Sequence, residues 1–141
     1  MSELYIYRIL DANLNRLREG LRVVEEYFRF GKESGEITLQ IKELRHLVRE
    51  IDDELPRDRL LESRNVDGDI FSSGSSAKEL DRASIVELIS ANIRRSEESA
   101  RVLEEYLKLL ALSKGALLAK DIRFSLYKIE SSMGVIDGSK S

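Results

Sequence analysis

Apolar residues recur at three- and four-residue intervals along most of this chain. From Leu4 to Phe30 the series Ile6, Ile9, Leu10, Leu14, Leu17, Leu21, Val24 and Phe28 predicts one long amphipathic helix, which Gly31 and Gly35 then end. Ile41, Leu44, Val48, Ile51 and Leu55 predict a second helix from about Ile37 to Leu55, stopped by Pro56. A short helical stretch follows from Arg57 to about Ser63. After a polar, glycine-bearing segment, Ser84-x-x-Glu87 forms a capping box that opens a helix to about Leu112. Lys114-Gly115 marks a turn, and a fourth long helix runs from about Ala116 to Met133.

The polar positions between these apolar ones repeat. Ala12-Asn13-x-x-Arg16-x-x-Glu19-x-x-Arg22-Val23-x-Glu25-Glu26-Tyr27 returns in the second half of the chain as Ala91-Asn92-x-x-Arg95-x-x-Glu98-x-x-Arg101-Val102-x-Glu104-Glu105-Tyr106. Nine of sixteen aligned positions are identical, and seven of the nine are polar, charged or tyrosine. A duplication kept for packing alone would mainly keep apolar character and size, so the repeated residues point to a polar task. Lys42-Glu43-Leu44-Arg45 echoes faintly in Lys120-Asp121-Ile122-Arg123, at nearly the same offset. The fold expected is all-α: a four-helix bundle of two repeated helical hairpins joined by a long central loop. The boundaries are a single helical domain over 1–136, with repeat one at about 3–56, the connection at about 57–83 and repeat two at about 84–133; 137–141 is expected to be a disordered tail.

Composition narrows the function. The 141 residues fit one domain with a core of its own. There is no cysteine, which excludes disulfides, thiolate metal sites and cysteine nucleophiles, and an intracellular, cytoplasmic location is the default. No apolar run approaches the roughly 20 residues that span a bilayer, so a soluble protein without a membrane partner is expected. The 23 basic and 26 acidic side chains interleave and nearly cancel, leaving no field to draw in nucleic acid.

Helical geometry sets Asn13 and Arg16 beside Leu17, Gly20, Val24 and Tyr27, and Asn92 and Arg95 beside Ile93, Val102, Leu103 and Tyr106, at the rim of the apolar stripe. Polar groups there need partners, and a bound ligand is one. The bland alternative is a ladder of ion pairs among Arg16, Glu19 and Arg22, and among Arg95, Glu98 and Arg101. An asparagine inside a helix argues against it, since that residue is a poor helix former and both copies keep it. Glu25-Glu26 and Glu104-Glu105 read as a solvated face. His46 lies in Glu43-x-x-His46, a di-iron spacing, but the matching place holds Asp121-x-x-Phe124, so no di-iron centre is expected. Neither standard nucleotide loop is present.

Taken together, Asp11-Ala12-Asn13 with Arg16, Glu19-Gly20-Leu21-Arg22-Val23 with Glu25, Leu44-Arg45-His46, Arg64 with Asp69, and the second repeat from Asn92 to Tyr106 resemble a small all-helical family. That family occurs alone or fused ahead of thiamine-phosphate synthase, also called thiamine-phosphate pyrophosphorylase. Its members are assigned as hydroxymethylpyrimidine phosphate kinases. The resemblance implies transfer of a phosphoryl group from ATP, with Mg²⁺, to hydroxymethylpyrimidine phosphate. Such chemistry needs cationic clamps, carboxylates for Mg²⁺ and a group to orient the nucleophile. On this resemblance Arg16, Arg45, Arg64 and Arg95 are the candidate clamps, Asn13 or Asn92 a candidate reader of the aminopyrimidine, and Asp69 with Glu98 or Glu19 the candidate Mg²⁺ ligands, with Asp69 and Glu98 the candidate catalytic carboxylates. The rival is a non-catalytic helical module that docks on thiamine-phosphate synthase or self-associates. A twofold homodimer is the default assembly.

Overall fold

The computed structural model describes residues 3–64 and 84–138, and every regular element among them is helical. Helix α1 spans Leu4–Glu26 and runs without a break into a π-helical turn, Tyr27–Gly31; α2 is Gly35–Asp53, α3 Arg57–Ser63, α4 Ile85–Leu109 and α5 Ser113–Gly138. The apolar periodicity accounts for these elements directly. Leu10, Leu14, Leu17, Leu21 and Val24 of α1 are fully buried, against Ile93, Leu103 and Leu107 of α4, Ile41 and Ile51 of α2, and Ile122 and Leu126 of α5 in one continuous core. Ser84 caps α4 by accepting the Glu87 N–H at 3.1 Å, and Ser34 does the same for α2 from Ile37 at 3.4 Å. Helix α5 runs on through Gly134 to Gly138.

Helix α1 packs most extensively along α4; α4 also packs on α5, α1 on α2 and α3, and α2 on α5. The α1–α4 seam is close at Gly20. A Cβ there would collide with the Ser96 Oγ and come within 3.2 Å of the Asn92 carbonyl oxygen, so any larger residue would have to displace Ser96 and press on the α4 backbone.

The two turns are not made by glycine. Glu33 (φ 54°) and Ala111 (φ 57°), at equivalent places in the two halves, adopt the left-handed conformation between α1 and α2 and between α4 and α5. For a residue with a Cβ this costs about 1–2 kcal/mol, which the surrounding packing outweighs. Gly31 instead ends the π-helical turn and Gly35 begins α2. Gly115 sits in the first turn of α5, where a Cβ would lie 2.6 Å from Glu54 Oε2. Its role is close approach and not reversal of the chain.

The halves differ where α5 meets α4. In the first half Arg18 of α1 pairs with Asp52 of α2 at 3.1 Å. The corresponding positions of the second half are Glu97 and Glu130, two carboxyls facing each other. Burial, then the hydrogen bond and like charge of Glu130, with a lesser push from Glu98, raise the Glu97 pKa from 4.5 to about 7, against the pull of Arg94. Below pH 4.5 Glu97 is protonated in both the folded and the unfolded chain. Between pH 4.5 and about 7 the unfolded chain releases a proton that the folded chain keeps, so stability falls as pH rises through this window and levels off above it. Glu97→Gln is expected to remove most of that slope and to raise stability at pH 8 by about 1–3 kcal/mol. Urea unfolding at pH 5 and pH 8 checks it; an unchanged slope would mean that Glu97 ionises freely.

Candidate functional site

A groove of about 710 Å³ lies along the α1–α4 seam, lined by Asn13, Arg16, Glu19, Gly20 and Val23 from α1 and by Asn92, Arg95, Glu98, Ser99 and Val102 from α4. Each α1 residue has its partner at the matching place of the second repeat, so the lining consists of five equivalent pairs. Four of the pairs are identical in residue type, and the fifth, Gly20 with Ser99, is small in both copies. Spacings of three and four residues keep one strip of each helix turned to the groove. The close approach at Gly20 brings the two strips together.

The asparagines are held alike. Asn13 Nδ2 donates to the Ile9 carbonyl at 2.9 Å, and Asn92 Nδ2 donates to the Leu88 carbonyl at 2.9 Å. A carbonyl only accepts, so the nitrogen of each amide must face it. Each side chain keeps its oxygen and one N–H for another partner.

Arg16, Glu19, Arg95 and Glu98 are exposed, and among the described residues none of them is joined in an ion pair. The ladder that the three-residue spacing suggested does not form at these positions. Farther along α4, Arg101 does pair, with Glu104 at 4.0 Å and Glu105 at 3.3 Å. The groove thus holds two guanidinium groups and two carboxylates that no described residue claims in an ion pair.

Other residues singled out from the sequence lie elsewhere. Arg45 of α2 donates to Glu25 at 2.8 Å, with Glu25 buried on α1. Its counterpart Arg123 makes a two-pronged contact with buried Glu104, at 2.9 and 3.1 Å. Glu25 and Glu104 are therefore interior ion-pair partners and not a solvated face; only Glu26 and Glu105 face water. Arg64, at the end of α3, grips buried Asp11 of α1 through two bonds of 2.8 and 2.9 Å, fixing α3 to α1. Asp69 lies outside the described residues.

The sequence matches the ThiD2 family over residues 8–132, a span that takes in the whole groove. The chain belongs to the ThiD2 family. It is similar to the thiamine-phosphate synthase of Nostoc punctiforme, 40% identical over 131 residues that make up 91% of this chain and 35% of that protein. It is 42% identical over 128 residues to the thiamine-phosphate synthase of another Nostoc (91% and 35%) and 41% identical over 128 residues to that of a Synechocystis (91% and 36%). This ThiD2 chain thus spans about a third of the length of the curated relatives it matches. No solved structure matches it. No helix among the described residues is long and apolar enough to cross a membrane.

The ThiD2 groove also contains residues that the sequence pattern did not single out as binding residues: Gly20 with Ser99, and Val23 with Val102. Their signal was membership of the same repeat, three or four positions from an arginine or glutamate. As a metal site the groove offers Glu19 and Glu98, and among the described residues no group of three His, Cys, Asp or Glu could hold an ion. Two carboxylates suit Mg²⁺ that keeps waters and takes its remaining ligands from substrate phosphates, and do not suit an all-protein cage.

Proposed function

We propose that this chain is an ATP-dependent phosphotransferase of thiamine biosynthesis, converting hydroxymethylpyrimidine phosphate to its diphosphate in the α1–α4 groove. The observation that supports this most is the lining of that groove by two sets of asparagine, arginine and glutamate, with neither arginine in an ion pair among the described residues. Family membership and the naming of the relatives as thiamine-phosphate synthases agree with the pathway. In this reading the helices α1, α2, α4 and α5 form one four-helix bundle of two repeated hairpins.

The nucleophile is an oxygen of the pyrimidine's own phosphate. It forms a bond to the γ-phosphorus of ATP while the bond from that phosphorus to the bridging oxygen breaks and ADP departs. A phosphate monoester is largely ionised at neutral pH, its second pKa being about 6, so little proton removal is asked of the protein. Glu98 and Glu19 then serve chiefly to hold Mg²⁺, with Asp69 a further candidate ligand and catalytic carboxylate. Bound there, Mg²⁺ would offset charge on the phosphate oxygens. Arg16 and Arg95 clamp those oxygens in line, and Asn13 and Asn92 orient the rings. Arg45 and Arg64 act at one remove, by holding α2 and α3 against α1.

A second reading has one observation behind it. Because the chain corresponds to a third of its relatives, it could be a non-catalytic module that docks on thiamine-phosphate synthase, or on a second copy of itself as a homodimer. A Mg²⁺-dependent assay with ATP and hydroxymethylpyrimidine phosphate, following the diphosphate by mass, separates the two. Diphosphate formed by the parent protein, and lost in folded Asn92→Ala, supports the phosphotransferase. Folded protein that forms none, yet is retained on immobilised thiamine-phosphate synthase, supports the docking module.

A further inference from the structure

The groove is lined twice over by nearly one set of residues, and the two asparagine side chains make the same hydrogen bond in each copy. We infer that it holds two aminopyrimidine ligands at once, one in each half, each read by its own asparagine and clamped by its own arginine. This rests on the phosphotransferase reading and adds to it how the two substrates share the site.

The asparagines carry the argument. Each amide is pinned by one N–H to a carbonyl of its own helix, Asn13 to Ile9 and Asn92 to Leu88, both at 2.9 Å. What remains on each is an acceptor oxygen beside one donor N–H. That pair complements a heterocycle edge bearing an amino group next to a ring nitrogen, as both adenine and a 4-aminopyrimidine do. A ring with an oxo group next to a ring N–H presents the opposite order. With the phosphate clamped and the ring held the same way over, matching it would require the amide to flip, setting its oxygen against the helix carbonyl at hydrogen-bond distance, where two acceptors repel.

Both substrates of the proposed reaction carry an amino-bearing edge and a phosphate. In each half the asparagine is followed one turn later by an arginine, Arg16 or Arg95, with no ion-pair partner among the described residues. Divided in two, the 710 Å³ groove leaves each half within the lower range of small-molecule pockets, roughly 300–1,000 Å³. The halves therefore accept the same class of ligand, an aminopyrimidine phosphate. An excess of either substrate fills both, and turnover passes through an optimum in each.

Adenosine monophosphate, which has the amino edge and one phosphate but no group to transfer, tests this by isothermal titration calorimetry on the full chain. Two equivalents are expected to bind. Asn13→Ala and Asn92→Ala should each leave one. Arg16→Ala and Arg95→Ala, at exposed positions where truncation spares the core, should each weaken one equivalent about tenfold or more. Inosine monophosphate, with an oxo group in place of the amino group, should bind at least about tenfold more weakly in both halves. A single equivalent in the parent, two that persist in all four variants, or equal binding of the inosine nucleotide would overturn the inference. Two equivalents in a protein that makes no diphosphate would support the two half-sites and remove the kinase reading; diphosphate from a protein that binds one equivalent would do the reverse.

Discussion

Truncating Arg123 to alanine is expected to destabilise the fold by about 3–5 kcal/mol, a large share of the roughly 5–15 kcal/mol that holds a domain together. Arg123 is 9% exposed and its partner Glu104 6%. The guanidinium gives Nε and Nη2 to the two carboxylate oxygens and Nη1 to the Tyr127 hydroxyl at 3.2 Å, and it lies over the Phe124 and Tyr127 rings at 4.9 and 5.7 Å. Removing it leaves the Glu104 carboxylate in the interior with, among the described residues, only Arg101, 4.0 Å away, to offset its charge. That exposed arginine offers a long contact and little compensation. The equivalent Arg45 makes a single 2.8 Å bond to Glu25 and is half-buried, so Arg45→Ala should cost less, about 1–3 kcal/mol. Urea unfolding at unchanged m-value measures both. Arg123→Met combined with Glu104→Leu should recover much of the loss, because an apolar pair of similar size needs no compensating charge. A loss below about 1 kcal/mol for Arg123→Ala would mean that water reaches Glu104.

Arg16→Ala and Arg95→Ala should each lower kcat/KM for diphosphate formation by about 10²–10³ while leaving the unfolding midpoint within about 0.5 kcal/mol of the parent. The separation of the two effects follows from exposure. Both side chains reach into the groove from the outer part of their helices and make no ion pair among the described residues, so the fold does not depend on them. A guanidinium aimed at developing phosphoryl charge acts most strongly where reorganisation is least. Arg45→Ala is the control: seated on Glu25 and away from the groove, it should lower stability and leave kcat/KM within a few-fold for the folded fraction. If Arg45→Ala proved as damaging to turnover as Arg95→Ala, the groove would not be where phosphates bind.

Much of the fold could be read from the sequence, because helix phase is a local property. The apolar spacing from Ile6 to Phe28 and the Ser84 capping box located α1 and α4 to within a few residues. The groove pairs were legible for the same reason: one constant offset maps Asn13, Arg16 and Glu19 onto Asn92, Arg95 and Glu98. Long-range pairing was harder to see. Glu25 sits four residues after Leu21 and three before Phe28, hence on the buried strip, but only the arrival of Arg45 from another helix makes its burial tolerable. Sequence chemistry likewise pointed to Gly31, Gly35 and Gly115 for the turns. The tertiary packing put the left-handed residues at Glu33 and Ala111, against local preference.

Among the described residues, all ten that line the groove come from α1 and α4, and none from α2, α3 or α5. The outer helices therefore buttress the groove without lining it. A groove built this way is set by the register of one helix pair, so a substitution on the outer face of α2 or α5 would leave its described lining unchanged.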